Sequence, residues 1–220
     1  MGGFVTNDGG GSTFSPAPAG THKARCYYLV DLGVQPSNNT QFASKPTVVI
    51  GFELVETFKE DGEPYMVSRW YNNTLNNSYL RRDLEGWRGK TFTDDELKGF
   101  DLRKIVGKPC IVSITHNKKK TGDVRADITS ISAPLSGMDI ADCKNELLMY
   151  SVNMHLNTSG DSSPDEIEVQ KQVFEKLSEK MQERVKLSNE WTNYHSPTRV
   201  PEEDFDDDIP GFEEDEDLPF

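Results

Sequence analysis

Cysteine is nearly missing from this chain: 3 in 220 residues, at Cys26, Cys110 and Cys143. There is no CxxC pair and no His/Cys cluster, which argues against a disulfide framework and a zinc finger. So sparse and odd a set suits a reducing compartment. Cys26 and Cys110 lie among apolar neighbours and are expected to be small buried hydrophobes. No apolar run approaches the ~18 residues of a membrane helix. The opening "MGGFVTNDGGGSTFSPAPAG" lacks the basic and apolar regions of a signal peptide. Catalytic signatures are missing too. HExxH, a GxxxxGKS phosphate loop, GxGxxG after a strand and a GxSxG elbow do not occur, and His22, His116, His155 and His195 are scattered. The expectation is a protein that is not an enzyme and has no cofactor, metal or membrane span.

Basic residues are missing from one end. Residues 202–220 hold 11 acids and no Lys or Arg, which leaves 26 acids against 24 bases in the rest. The net charge of −13 is therefore almost wholly a tail property. A near-neutral body leaves room for a basic groove, so a nucleic-acid partner stays open. Hydrophobic residues make up 35% of the chain, enough for one core with appendages rather than a core throughout.

Residues 1–20 are rich in Gly, Ser and Pro and read as a flexible arm. Strand chemistry follows over 22–34, 45–56 and 64–72, the last two joined by the turn "EDGE". Leu80, Leu84 and Trp87 then fall at helical spacing, with Asn77 or Ser78 as N-cap and Gly89 as stop. Thr93 with Glu96 forms a capping box, and a short helix is expected before Gly107. Strands return over 109–117 and 124–135. Three strands, a helical insertion and a two-strand hairpin are the element order of a five-stranded oligonucleotide-binding (OB) Greek-key barrel; another small antiparallel β fold is the alternative. The fold class expected is mainly β with helices (α+β), the OB domain spanning residues 21–137. Residues 138–195 are expected to add a strand over 146–156 and one helix from Ser163 to about Asn189, with Phe174, Leu177, Met181 and Val185 on its apolar side. Residues 196–220 are expected to be a disordered tail.

Single-strand binders stack bases on aromatic rings and carry phosphates on cations. Alternation sets Arg25 and Tyr27 on one face of the first strand, and Cys26, Tyr28 and Val30 on the other. One consistent assignment puts Arg25, Tyr27, Arg69, Tyr71 and Arg125 on an outer groove, with Tyr28, Phe52, Trp70, Val112 and Ile128 inside. The other lets Trp70 stack and buries Tyr71; period-2 reasoning does not choose between faces that both carry aromatics. Lys118, Lys119 and Lys120 tip the last hairpin beside the binding face. Asp31, Glu53 and Asp127 would make a metal-binding set if they met, and are cross-strand surface charges if they do not.

"FDDDIPGF" and "EDEDLPF" near the end resemble the acidic tip of bacterial single-stranded DNA-binding proteins, which typically ends Asp-Asp-Asp-Ile-Pro-Phe. The body, through "HKARCYYLVDLGVQ", "GFELVE", "LRRDLEGWRGKTF" and "DLRKIVGKPCIVSITH", resembles phage-encoded OB-fold single-stranded DNA-binding proteins over about residues 22–135. The resemblance implies sequence-independent binding of single-stranded DNA in replication, recombination or repair, in the cytoplasm of a bacterial host. It implies tip contacts to replication or repair enzymes through Asp206, Asp207, Asp208, Ile209 and Pro210, or through Asp215, Asp217, Leu218, Pro219 and Phe220. It also implies that the tail competes with DNA for the groove. The tip copies depart from the family pattern: Gly211 precedes Phe212 in the first, and Leu218 stands for Ile in the second. Two rival classes remain, a protein–protein adaptor with a DNA-mimic tail and a metal-dependent nuclease.

Overall fold

The computed structural model describes residues 15–37, 41–118 and 124–196. Three long strands open the chain: β1 (Gly20–Gln35), β2 (Lys45–Phe58) and β3 (Pro64–Asn72). Two helices and a 3₁₀ turn follow: α1 (Tyr79–Arg88), α2 (Asp94–Lys98) and Leu102–Ile105. β4 (Pro109–Lys118) and β5 (Val124–Ser132) complete the antiparallel order β3-β2-β1-β4-β5. The short β6 (Leu148–Ser151) pairs parallel with the second half of β1, off that path. The ends of the path are drawn together by a side chain: Arg69 on β3 donates through Nη1 to the carbonyl of Ile128 on β5 at 3.1 Å.

β1 serves two cores because its register shifts between Cys26 and Tyr28. A β-bulge adds one residue and exchanges the faces of everything beyond it. Ala24 and Cys26 point into the first core with Phe52, Leu84, Trp87 and Val112, whereas Val30 and Leu32 point into a second. The expected grouping of Cys26 with Val30 is thus corrected. β2 is buried on both sides, Ile50 and Phe52 facing the first core and Val49 the second.

α1 forms as its spacing predicts: Ser78 caps it, Gly89 closes it at φ 66°, and Leu80, Leu84 and Trp87 are buried. It lies so close to β5 that a Cβ on Gly86 would come within 2.7 Å of the Ile131 carbonyl oxygen. The expected capping box of Thr93 with Glu96 is present, and Ser163 forms a second one with Glu166.

The chain beyond β6 departs from expectation. The strand expected over 146–156 stops at Ser151 and turns into α3 (Val152–Leu156). The single helix expected from Ser163 is three: α4 (Pro164–Lys176), α5 (Glu179–Lys186) and α6 (Asn189–His195). Ser178 and Ser188 restart it as N-cap residues in extended conformation. Breaking the helix lets Phe174, Leu177, Met181 and Val185 turn onto Val30 and Leu32. α6 is pinned by the Glu190 carboxylate, which accepts from the Val34 backbone N–H at 2.8 Å. Ala17 and Gly20, expected within a flexible arm, are held instead: Ala17 is buried, its carbonyl accepts from His116, and Gly20 opens β1. No helix among the described residues is long and apolar enough to cross a membrane.

Candidate nucleic-acid interface

β3 settles which of its faces meets water. Val67 and Tyr71 are buried, whereas Met66 and Trp70 are exposed, Trp70 to 41% and Tyr71 to 4%. Tyr71 is therefore buried rather than exposed on an outer face, although it stays in the wall of a cleft where β3 ends, and Trp70 lies outside rather than inside. The reason is polar as well as apolar. The Tyr71 hydroxyl donates to the Asp83 carboxylate at 2.9 Å, and Arg69 pairs with the same carboxylate at 3.0 Å. Asp83, on α1, is itself buried. Burial, then the Asp83 charge, raises the Tyr71 phenol far above its ordinary value, so the ring stays a neutral donor.

Arg25 and Tyr27 do not line a groove either. Arg25 donates to the carbonyls of Gly107, Ile140 and Ala141, at 2.7, 2.6 and 3.0 Å, and pairs with Asp142. It staples the segment after β5 onto β1. Tyr27 is only 9% exposed. Arg125 is exposed and paired with Asp127, which also accepts from Asn117. Burial pushes the Asp127 carboxyl up, but the Asn117 and Arg125 hydrogen bonds and the nearby Arg69 charge outweigh it and hold the group low. Lys118 is exposed at the end of β4. Lys119, Lys120 and all the tip residues, from Asp206 to Pro210 and from Asp215 to Phe220, lie outside the described residues. Tyr28 is half-buried, its ring covering Gly51, and Phe52, Val112 and Ile128 are inside as expected.

The three strand carboxylates do not meet. Asp31 accepts from Ser151 and the Gly33 N–H, and Glu53 from the N–H groups of Lys144 and Asn145 and the Asn145 side chain. Asp127 is held as described above. No group of three or more His, Cys, Asp or Glu among the described residues is placed to hold a metal ion.

What the fold assembles instead is a cleft of about 580 Å³ where β2 begins, β3 ends and α1 begins. Trp70, Tyr79, Lys45, Asn72, Asn76 and Asn77 line it. Tyr79 is 66% exposed, with the Arg82 guanidinium 4.7 Å and that of Arg69 5.8 Å from its ring centre. The Arg184 guanidinium lies 5.8 Å from the Trp70 ring centre. Gln35 at the end of β1 fixes α5 there by donating to the Arg184 carbonyl at 3.0 Å. Two exposed rings bordered by cations can stack planar groups and neutralise phosphates; the asparagine amides add hydrogen bonds with no fixed partner.

Sequence reasoning missed Tyr79 and Arg184. Tyr79 had a signal: it follows the N-cap and lies off the Leu80–Leu84–Trp87 stripe, so it must face outward. Arg184 had none. Compared with known proteins, the chain matches no family model and no curated protein.

Proposed function

We propose that this chain binds single-stranded DNA without reading its sequence and serves phage DNA replication, recombination or repair in the cytoplasm of the bacterial host. The observation that carries the reading is a cleft lined by exposed Trp70, exposed Tyr79 and Lys45, with the Arg184 guanidinium over the first ring and that of Arg82 over the second. Base stacking on such rings contributes ~1–3 kcal/mol per base, and each phosphate neutralised adds a salt-dependent term. Stacking on a ring tolerates any base and the amides are few, so sequence readout has little to work with. An OB barrel is the architecture we infer. In its favour are the order β3-β2-β1-β4-β5, the helix between β3 and β4, and the Arg69 link between the edge strands. Residues 202–220 recruit replication or repair enzymes in this reading.

The test is fluorescent oligo-dT binding over a salt series, with duplex of equal length as competitor. Affinity should fall linearly in log–log form with salt, and single strands should win. Trp70→Ala should weaken binding about 5- to 150-fold, the equivalent of one lost stack. Salt-independent binding, equal affinity for duplex or an unaffected Trp70→Ala would sink the proposal and leave the adaptor class.

A further inference from the structure

A second cavity, of about 280 Å³, opens at the other end of α1. Tyr79 begins that helix at the first cleft, and Trp87 and Arg88 end it at the second cavity. The helix rises ~1.5 Å per residue, so the two sites stand on the order of 13 Å apart. A strand of the ~4–16 nucleotides that an OB fold covers can span them. The walls are apolar, from Trp87, Phe100, Ile105 and Pro109, and the cations are Arg88, Lys104 and Lys108. No carboxylate lines it. Arg88 is largely engaged: its guanidinium carbon lies 4.2 and 5.1 Å from the Phe92 and Phe100 ring centres, and it gives Nη2 to Glu96. Its Nη1 nonetheless has no hydrogen-bond partner among the described residues. Lys23, Lys98, Lys144 and Lys176 each pair with a carboxylate, but among the described residues the exposed Lys104 and Lys108 pair with none. Two ammonium groups beside one apolar wall repel each other, and an anion between them reverses the sign of that interaction.

The lysines stand on a fixed platform. The Gly107 carbonyl accepts from Arg25 at 2.7 Å, the Gly107 N–H donates to the Cys26 carbonyl at 2.8 Å, and the Cys26 N–H donates to the Lys108 carbonyl at 3.1 Å. The turn is thus tied to β1 before any ligand arrives, and little backbone order is lost on binding. The ligand that suits the cavity is anionic, narrow and partly apolar. Trp87 is buried and its indole N–H already goes to the Pro109 carbonyl at 2.7 Å, so there is no slot for a flat ring, whether a base or a phenyl group. A free phosphate leaves the apolar walls unused. A sugar–phosphate link uses both: its phosphate oxygens meet the ammonium groups, and the C–H face of the deoxyribose meets Phe100, Ile105 and Pro109. Contacts of this kind position a strand and carry no sequence information.

We propose that the cavity at the end of α1 seats one phosphodiester of the strand whose bases stack at the Trp70–Tyr79 cleft, with Lys104 and Lys108 as its ligands. The inference rests on the reading of that cleft as a single-strand site. It makes α1 a spacer of fixed length between an end that stacks bases and an end that holds backbone.

The chain has 3 tryptophans, and two of their indole N–H signals report separately on the cleft (Trp70) and the cavity (Trp87). In the ¹⁵N-labelled full chain, oligo-dT of about 16 nucleotides should shift both signals. Lys104 and Lys108 are exposed, so Lys104→Ala with Lys108→Ala should preserve the fold; the Trp70 shift should remain and the Trp87 shift should vanish. The log–log salt slope of binding should fall in that variant by about 0.7, the share of one single-strand phosphate. Inorganic phosphate, matched to the phosphate content of the oligonucleotide, should leave Trp87 in place. A wild-type Trp87 signal that stays put while Trp70 moves overturns the inference and leaves the cleft standing. An unchanged salt slope in the double variant overturns it as well. A Trp87 shift with inorganic phosphate alone marks a site for the free ion and removes the strand from it. If oligo-dT moves neither signal, the single-strand reading itself has failed, and this inference with it.

Discussion

Single residues decide what β3 can offer a ligand, and Tyr71 and Trp70 divide the roles. Tyr71 is tied to Asp83 inside, and Trp70 stands outside beside Arg184. Both carry an aromatic ring next to an arginine in sequence or space, so composition alone does not separate them. The hydroxyl does: burial is tolerated because Asp83 accepts its hydrogen bond. Tyr71→Phe should therefore cost about 1–2 kcal/mol of stability, by leaving the Asp83 carboxylate one donor short, and leave oligo-dT affinity intact. Urea unfolding and fluorescence anisotropy on the same sample check both halves. Unchanged stability with weakened DNA binding would return Tyr71 to the groove. Arg25 shows the same lesson in reverse. It has the look of a phosphate ligand in sequence, yet three carbonyls and Asp142 occupy its guanidinium.

Elements were legible where the signal is local. The β3 limits, the α1 cap and stop and both capping boxes follow from residues within a few positions of one another. The helix from Ser163 was misread because its apolar spacing continues through two breaks. Those breaks carry serines of unequal strength. The Ser188 hydroxyl accepts from the Trp191 N–H at 3.1 Å in a buried position, whereas Ser178 makes no side-chain cap bond. Ser188→Ala should lower stability by about 1 kcal/mol, or roughly 2–4 °C in Tm for a chain of this size. Ser178→Ala should stay within a few tenths of a kcal/mol. Thermal unfolding of the two variants side by side checks this; equal effects would mean that the cap bond at Ser188 contributes nothing.

At the scale of the whole molecule, two cores share β1 and β2, and acid destabilises the fold in two stages. Burial lowers the His155 pKa, helped by Lys171 and His195 and opposed by Glu175. Its hydroxyl partner is Tyr150, at 3.0 Å. A depressed histidine binds fewer protons folded than unfolded, so its stabilisation is complete above about pH 6.5 and is lost as pH falls through the folded value. The carboxyls of Glu85, Glu96, Asp101, Asp127 and Glu166 are held low, chiefly by donors such as the Arg81 and Arg103 side chains and the Thr93 and Ser163 N–H groups. Their contribution is complete above about pH 4 and is lost below it. Urea midpoints should thus fall in two steps, one beginning near pH 6.5 and one near pH 4. His155→Gln should remove the upper step alone. A midpoint that holds steady from about pH 7.5 to 5 would refute the histidine's part.

The strand stretches, the capped α1 and α2, the burial of Cys26 and Cys110 and the segregation of acid into residues 202–220 can all be read from the chain alone. These depend on propensity, capping and charge, which act over a few residues of chain. Which aromatic ring meets solvent is set by contacts between distant parts of the chain. One bulge at Tyr27 exchanges the faces of β1, and a buried carboxylate on another element draws Tyr71 inward. Arg184 reaches Trp70 only because α5 packs against the end of β1, through contacts between residues far apart in the chain. The cavity that closes α1 likewise takes its cations from the helix end, the 3₁₀ turn and the approach to β4, and nothing local in the sequence places them together.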